Sequence, residues 1–205
     1  MNHKKTLKSD IQPFKLYDNI YFVGSSRVSV HIIDTKDGLV MIDTGYPDMY
    51  DQILDSMNEL ELNPADICAI FHSHGHIDHF GCTQKFKELS GAKTYISRID
   101  NDIVNGKLDL SWASELGYDR LPPFDCDVLV EDGEKFSFGD VVVRCRLTPG
   151  HTDSNGVVSM QNYILDLATP LEISVSDGQK VFVCEGTPYK TKGTIMRPLV
   201  APICK

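Results

Sequence analysis

Phe71-His72-Ser73-His74-Gly75-His76-Ile77-Asp78-His79-Phe80-Gly81 carries four of the chain's seven histidines. Neutral imidazole and carboxylate are ligands that zinc accepts, and tight spacing beside a rigid element fixes their directions. The stretch follows an apolar run at residues 67–71 that reads as a strand. It precedes a helical pattern from about residue 83 to 89 that stops at Gly91. Set between strand and helix, His-x-His-x-Asp-His reads as a metal loop. In such a loop His74 and His76 can point to one ion, while Asp78 and His79 face a neighbouring one. The plain alternative is a solvated polar loop or an adventitious metal-binding tract. Such a tract sits at a terminus and lacks the flanking elements.

Upstream of the loop, strands are expected at residues 15–23, 28–34 and 39–42, the last two joined by a turn at Asp37-Gly38. Asp43-Thr44-Gly45-Tyr46-Pro47 breaks the third strand. A helix follows from about Asp48, with Met49, Ile53, Leu54, Met57 and Leu60 on one face, and Asn63-Pro64 ends it. Downstream, a strand at 93–96 completes an alternation of strand and helix that marks an α/β domain. Residues 101–125, with Trp112 and Pro122-Pro123, give no clear period. Beyond them the pattern is all strand, at 128–130, 135–138, 141–147, 156–163 and 180–184.

The chain has 205 residues, enough for one domain with a substantial core, here divided into halves at about 15–125 and 126–205. Its formal charge is -9, its pI near 5.1 and its mean hydropathy -0.18. An acidic surface is a poor electrostatic partner for nucleic acid or anionic lipid, so neither is expected as a partner. Lys4, Lys5 and Lys8 are followed by no apolar segment, and no stretch approaches a membrane span, so a cytoplasmic location is expected. The six cysteines form no C-x-x-C pair and read as reduced thiols.

A second element, Leu147-Thr148-Pro149-Gly150-His151-Thr152, ends a strand at a Pro-Gly turn with one histidine at its tip. Two histidines from one loop need a third neutral ligand to make a catalytic zinc site, and His151 supplies it. Val40-Met41-Ile42-Asp43-Thr44-Gly45, the histidine stretch from Ser73 to Gly81, and Thr148-Pro149-Gly150-His151-Thr152 together resemble the metallo-β-lactamase superfamily. The element order extends that resemblance from about residue 15 to 185. Ser73 directly before His-x-His is most similar to the subclass B3 lactamases and related hydrolases.

The resemblance implies an αββα sandwich with the metals at one end of its two sheets. It implies His74, His76 and His151 around a first zinc, with Asp78 and His79 contributing to a second. Asp43 would lie beneath the loop and hold it by hydrogen bonds; its alternative is a plain turn residue. The implied chemistry is attack of a metal-bound hydroxide on a lactam, thioester, lactone or related ester, with Asp78 as the catalytic carboxylate that orients the nucleophile or carries its proton.

The chain departs from the family pattern twice. No aspartate stands where family members carry the one that bridges two metals; Cys184 and Glu185 are the candidates there. No histidine follows His151, and the run from Ile195 to Cys204 is too proline-broken for a packed helix. The expected second half is therefore incomplete, one zinc is better supported than two, and an uncovered sheet would favour a homodimer. Iron chemistry and a degenerate protein that binds metal without efficient turnover are the other readings. Tyr46, Trp112 and residues 121–124 are candidates to line a pocket for a small-molecule substrate. His31 and His72 read as packing or hydrogen-bonding residues.

Overall fold

The computed structural model describes residues 11–145 and Leu147 in full, and beyond them the backbone of four strands at 171–174, 180–183, 190–191 and 194–195. A seven-stranded sheet runs in sequence order through β1 (Phe14–Tyr17), β2 (Ile20–Phe22), β3 (His31–Asp34), β4 (Leu39–Ile42), β5 (Ile67–Phe71), β6 (Lys93–Ser97) and β7 (Val128–Val130). The first four strands pair antiparallel. From β4 onward the pairing is parallel. Each parallel step needs a crossover. Helix α1 (Tyr50–Glu59) joins β4 to β5, the short α2 (Ile77–Phe80) and α3 (Thr83–Ser90) join β5 to β6, and α4 (Arg98–Val104) leads from β6 toward β7.

A second sheet contains β8 (Lys135–Phe138), β9 (Val141–Cys145), β10 (Leu171–Ser174) and β11 (Lys180–Val183), all antiparallel. A small ribbon pairs β12 (Lys190–Thr191) with β13 (Thr194–Ile195). Strand β4 shows why the first sheet is covered on both faces. Leu39 and Met41 pack with Met49, Ile53, Met57 and Phe86 under the helices. Val40 and Ile42 pack with Phe71, Val141 and Val143 between the two sheets. Period-two alternation thus feeds two cores, and all four β4 residues are buried. The described layers run helix, sheet, sheet, in the order expected of the sandwich.

The expected strand at 15–23 is two strands. Asp18, at φ 33°, and Asn19 make a tight turn between them, and the Asn19 side chain donates to the Asp34 carbonyl at 2.7 Å. Both residue types tolerate such turns, and the apolar run on either side masked them. The strand expected at 28–34 begins only at His31. The helix face at Met49, Ile53 and Met57 is buried as expected, but α1 ends before Asn63-Pro64, with Glu61 at φ 58°. The expected strand at 156–163 lies outside the described residues.

A candidate metal centre at the ends of the parallel strands

Strands β4, β5 and β6 point the same way, and their carboxyl ends deliver Asp43, the histidine loop and Ser97 to one edge of the sheet. Ligand sites of α/β sheets form beyond such ends. Asp43 directly follows β4 and is buried at φ 57°, a left-handed conformation that Asp tolerates better than most residues. Its amide donates to the Phe71 carbonyl at 2.8 Å, which ties it to the end of β5. One carboxylate oxygen accepts the Ser73 amide at 2.7 Å, and the other accepts the Ser73 hydroxyl at 2.7 Å. That second oxygen also takes Nδ1 of His79 at 2.9 Å.

These contacts settle two tautomers. A carboxylate can only accept, so His79 carries a proton on Nδ1 and turns Nε2 toward Asp78. Ser73 has one hydroxyl proton, which it gives to Asp43. Toward Nδ1 of His74, 3.0 Å away, its oxygen therefore accepts. His74 is then also protonated on Nδ1, and Nε2 is its lone-pair nitrogen. The loop is held from below by a buried carboxylate and a hydroxyl, while the Nε2 atoms of His74 and His79 face away from them.

The histidine rings are close. His74 lies with ring centroids 4.5 Å from His76 and 3.9 Å from His79. His76 is the N-cap residue of α2, and all three are buried. Asp78 Oδ2 stands 3.3 Å from His79 Nε2. A carboxylate facing a lone-pair nitrogen is repulsive unless a cation lies between or beside them. Burial pushes the Asp78 carboxyl up, but the hydrogen bond and charge of His79 and the charge of His76 outweigh it and hold it below the usual value.

Of the residues expected at the site, the fold brings together Asp43, His74, His76, Asp78 and His79. His151, Cys184 and Glu185 lie outside the described residues. Among the described residues no three His, Cys, Asp or Glu side chains already converge as a metal cage. The donor set fits zinc in kind: nitrogen and carboxylate oxygen, with tautomers set by partners.

His72 faces away from this centre. Its Nδ1 meets the Tyr95 carbonyl at 3.2 Å and its Nε2 the Thr83 hydroxyl at 2.7 Å. Burial lowers its pKa, against the opposing pull of the Asp43 charge and the Tyr95 hydrogen bond. The hydroxyl of Thr83 continues at 3.0 Å to that of Thr44, whose amide holds the His79 carbonyl at 2.8 Å. The exposed Trp112 ring lies 5.9 Å from His76, and the neighbouring Ser111 carbonyl accepts the Ile77 amide at 2.8 Å. Tyr46 is close enough to Asp78 that burial, then the Asp78 charge, raises its phenol pKa. Two features escaped the sequence reading. Arg27 covers the Tyr46 ring at 4.2 Å. Ser97-Arg98-Ile99-Asp100 opens α4 as a capping pattern that was there to be seen.

The profile of the Metallo-beta-lactamase superfamily matches residues 23–171. The chain belongs to that superfamily. An uncharacterized protein of Aquifex aeolicus is 31% identical over 132 residues, covering 63% of this chain and 58% of its own. A probable polyketide biosynthesis zinc-dependent hydrolase, BaeB of Bacillus velezensis, is 27% identical over 120 residues, 58% of this chain and 43% of its own. Among solved structures, the subclass B3 metallo-beta-lactamase BJP-1 of Bradyrhizobium japonicum superposes with a TM-score of 0.70 at 28% identity, covering 88% of this chain and 63% of that one. The chain thus spans less than two thirds of the length of these relatives. Among the described residues no helix is long and apolar enough to cross a membrane.

Proposed function

We propose that this metallo-β-lactamase-fold chain is a zinc-dependent hydrolase of a lactam, thioester, lactone or related ester in a small molecule. His74, His76 and His151 would hold one ion; Asp78 and His79 would contribute to a second, completed by Glu185, Cys184 or a partner chain. The observation that carries this reading is the Asp43–Ser73 lattice, which presents Nε2 of both His74 and His79 on the side away from their buried supports. Zinc held there supplies a Lewis acid that polarises a carbonyl and brings the pKa of a bound water to about 7.

The chain's own residues do the rest. Asp43 and Ser73 keep the imidazoles in the ligating tautomer. Asp78, ionised and only part-buried, can accept a proton from the nucleophile and pass it to the leaving group. Trp112, its ring 5.9 Å from His76, and Tyr46, beside Asp78, would line the pocket for the substrate.

The test is elemental analysis of protein purified without added metal, run beside chromogenic cephalosporin, thioester and lactone assays. About one or two zinc per chain with turnover supports the reading. Protein that neither holds zinc nor turns over any of the three overturns it. Asp78→Ala should lose at least about 100-fold in kcat, the scale of a general acid–base group, while retaining one metal. Unchanged turnover would remove Asp78 from the chemistry.

A further inference from the structure

We propose that Asp100, in the first turn of α4, is a positioning residue for the His74–His76 loop. This rests on the reading of that loop as a metal site. Gly75 lies between the two histidines, and its amide donates to Asp100 Oδ1 at 3.1 Å. The other carboxylate oxygen accepts the Ser97 hydroxyl at 2.6 Å, and the Asp100 amide returns to Ser97 Oγ at 3.1 Å. Asp100 and Ser97 are each 5% exposed, so these hydrogen bonds lie inside the protein.

The contact is close as well as polar. A Cβ on Gly75 would stand 2.9 Å from the Ile103 Cβ and 3.0 Å from the Asp100 carbonyl oxygen. Both neighbours belong to α4, so the glycine between the histidines is where the loop presses against that helix. The peptide that joins His74 to Gly75 is thereby fixed in orientation, and with it the exit directions of the side chains on either side. Asp43 and Ser73 set the ring tautomers of His74 and His79 from below. Asp100 sets the backbone from the flank, a task for which Asp43, at the end of another strand, is not placed.

Zinc affinity by chelator competition on zinc-stripped protein tests this, together with amide hydrogen exchange at Gly75 in the zinc-free wild type. Asp100→Ala should bind zinc about 10- to 100-fold more weakly, the usual effect of losing a partner of the ligand shell. Asp100→Asn should recover most of that loss, because its side-chain carbonyl still accepts the Gly75 amide. Asn101→Ala serves as the control. It loosens the same helix by removing the 2.9 Å contact to the Cys126 amide, without touching the loop.

Wild-type affinity in Asp100→Ala overturns the proposal. So does an Asn variant as weak as Ala, or an equal loss in Asn101→Ala. Should Asp100→Ala fail to fold, the Asn variant and the exchange at Gly75 decide: a protected amide supports the contact and a freely exchanging one overturns it. A wild type that binds no zinc overturns the metal-site reading itself, an outcome distinct from all the others.

Discussion

At Asp43 one carboxylate receives the Ser73 amide, the Ser73 hydroxyl and His79 Nδ1, all buried. Removing it leaves those donors without their acceptor, which costs about 2–4 kcal/mol. Asp43→Ala should show that loss in denaturant unfolding, and a zinc affinity about 10- to 100-fold lower. Asp43→Asn tolerates φ 57° equally well but turns an NH2 toward one of the donors. It should therefore move the His79 proton, readable as a change in imidazole 15N shifts. Asp43's hydrogen bonds to the loop were legible only through the family resemblance, since a carboxylate at a strand end reads equally as a plain turn residue. The role of Ser73 was not legible: its hydroxyl finds Asp43 only once β4 and β5 lie side by side. The thiols give a further residue-scale expectation. Burial raises Cys82, Cys126 and Cys145 to about 12. At pH 8 none is a thiolate in the native state. Mass spectrometry after iodoacetamide treatment should find all three unmodified until the protein is unfolded; rapid native labelling of any one would contradict its burial.

Among the elements, the junction of α2 and α3 with the loop after β4 is tightly constrained. A Cβ on Gly81 would lie 2.5 Å from both the Gly45 carbonyl oxygen and the Pro47 nitrogen. Both are backbone atoms and cannot swing aside. Gly81→Ala should cost at least about 3 kcal/mol, visible as a large drop in Tm or as insoluble protein. Gly91 makes the contrast. It ends α3 at φ 73° with nothing within 4 Å of its missing Cβ, so Gly91→Ala should cost only about 1 kcal/mol. Equal losses at the two positions would show that clash is not the deciding term. Helices α1 and α3 were readable because each buries one stripe against the sheet. Helix α4 was not, since it buries Asp100 and Asn101 beside Ile103 and Val104 and so hides its period. Its start was signalled only by the Ser97 cap, and α2 is a single turn.

Across the whole molecule, three segments distant in sequence meet beside the histidine centre. Arg27 precedes β3, Tyr46 and Asp48 follow β4, and Tyr118 belongs to the stretch between α4 and β7. The guanidinium covers the Tyr46 ring at 4.2 Å, and Tyr118 stacks on that ring at 5.3 Å between centroids. Arg27 also pairs with Asp48 at 3.2 Å and donates to the Tyr118 hydroxyl, which reaches Asp48 at 3.1 Å. The pair is more than two-fifths exposed on both sides. Water screens it, and its net worth to global stability is at most about 1 kcal/mol. The value of the cluster is instead local: it ties the segment carrying Trp112 to loops at the carboxyl ends of the strands. Arg27→Ala should lower Tm by no more than about 2–4 °C in a chain of this size. It should also speed hydrogen exchange several-fold at residues 25–28 and 112–120, leaving β4 and β5 protected. A large loss of Tm with exchange quickened through both sheets would mean that the tie belongs to the cooperative core. Exchange confined to the two loops means that the core folds without it, and that the cluster acts only on the rim of the site.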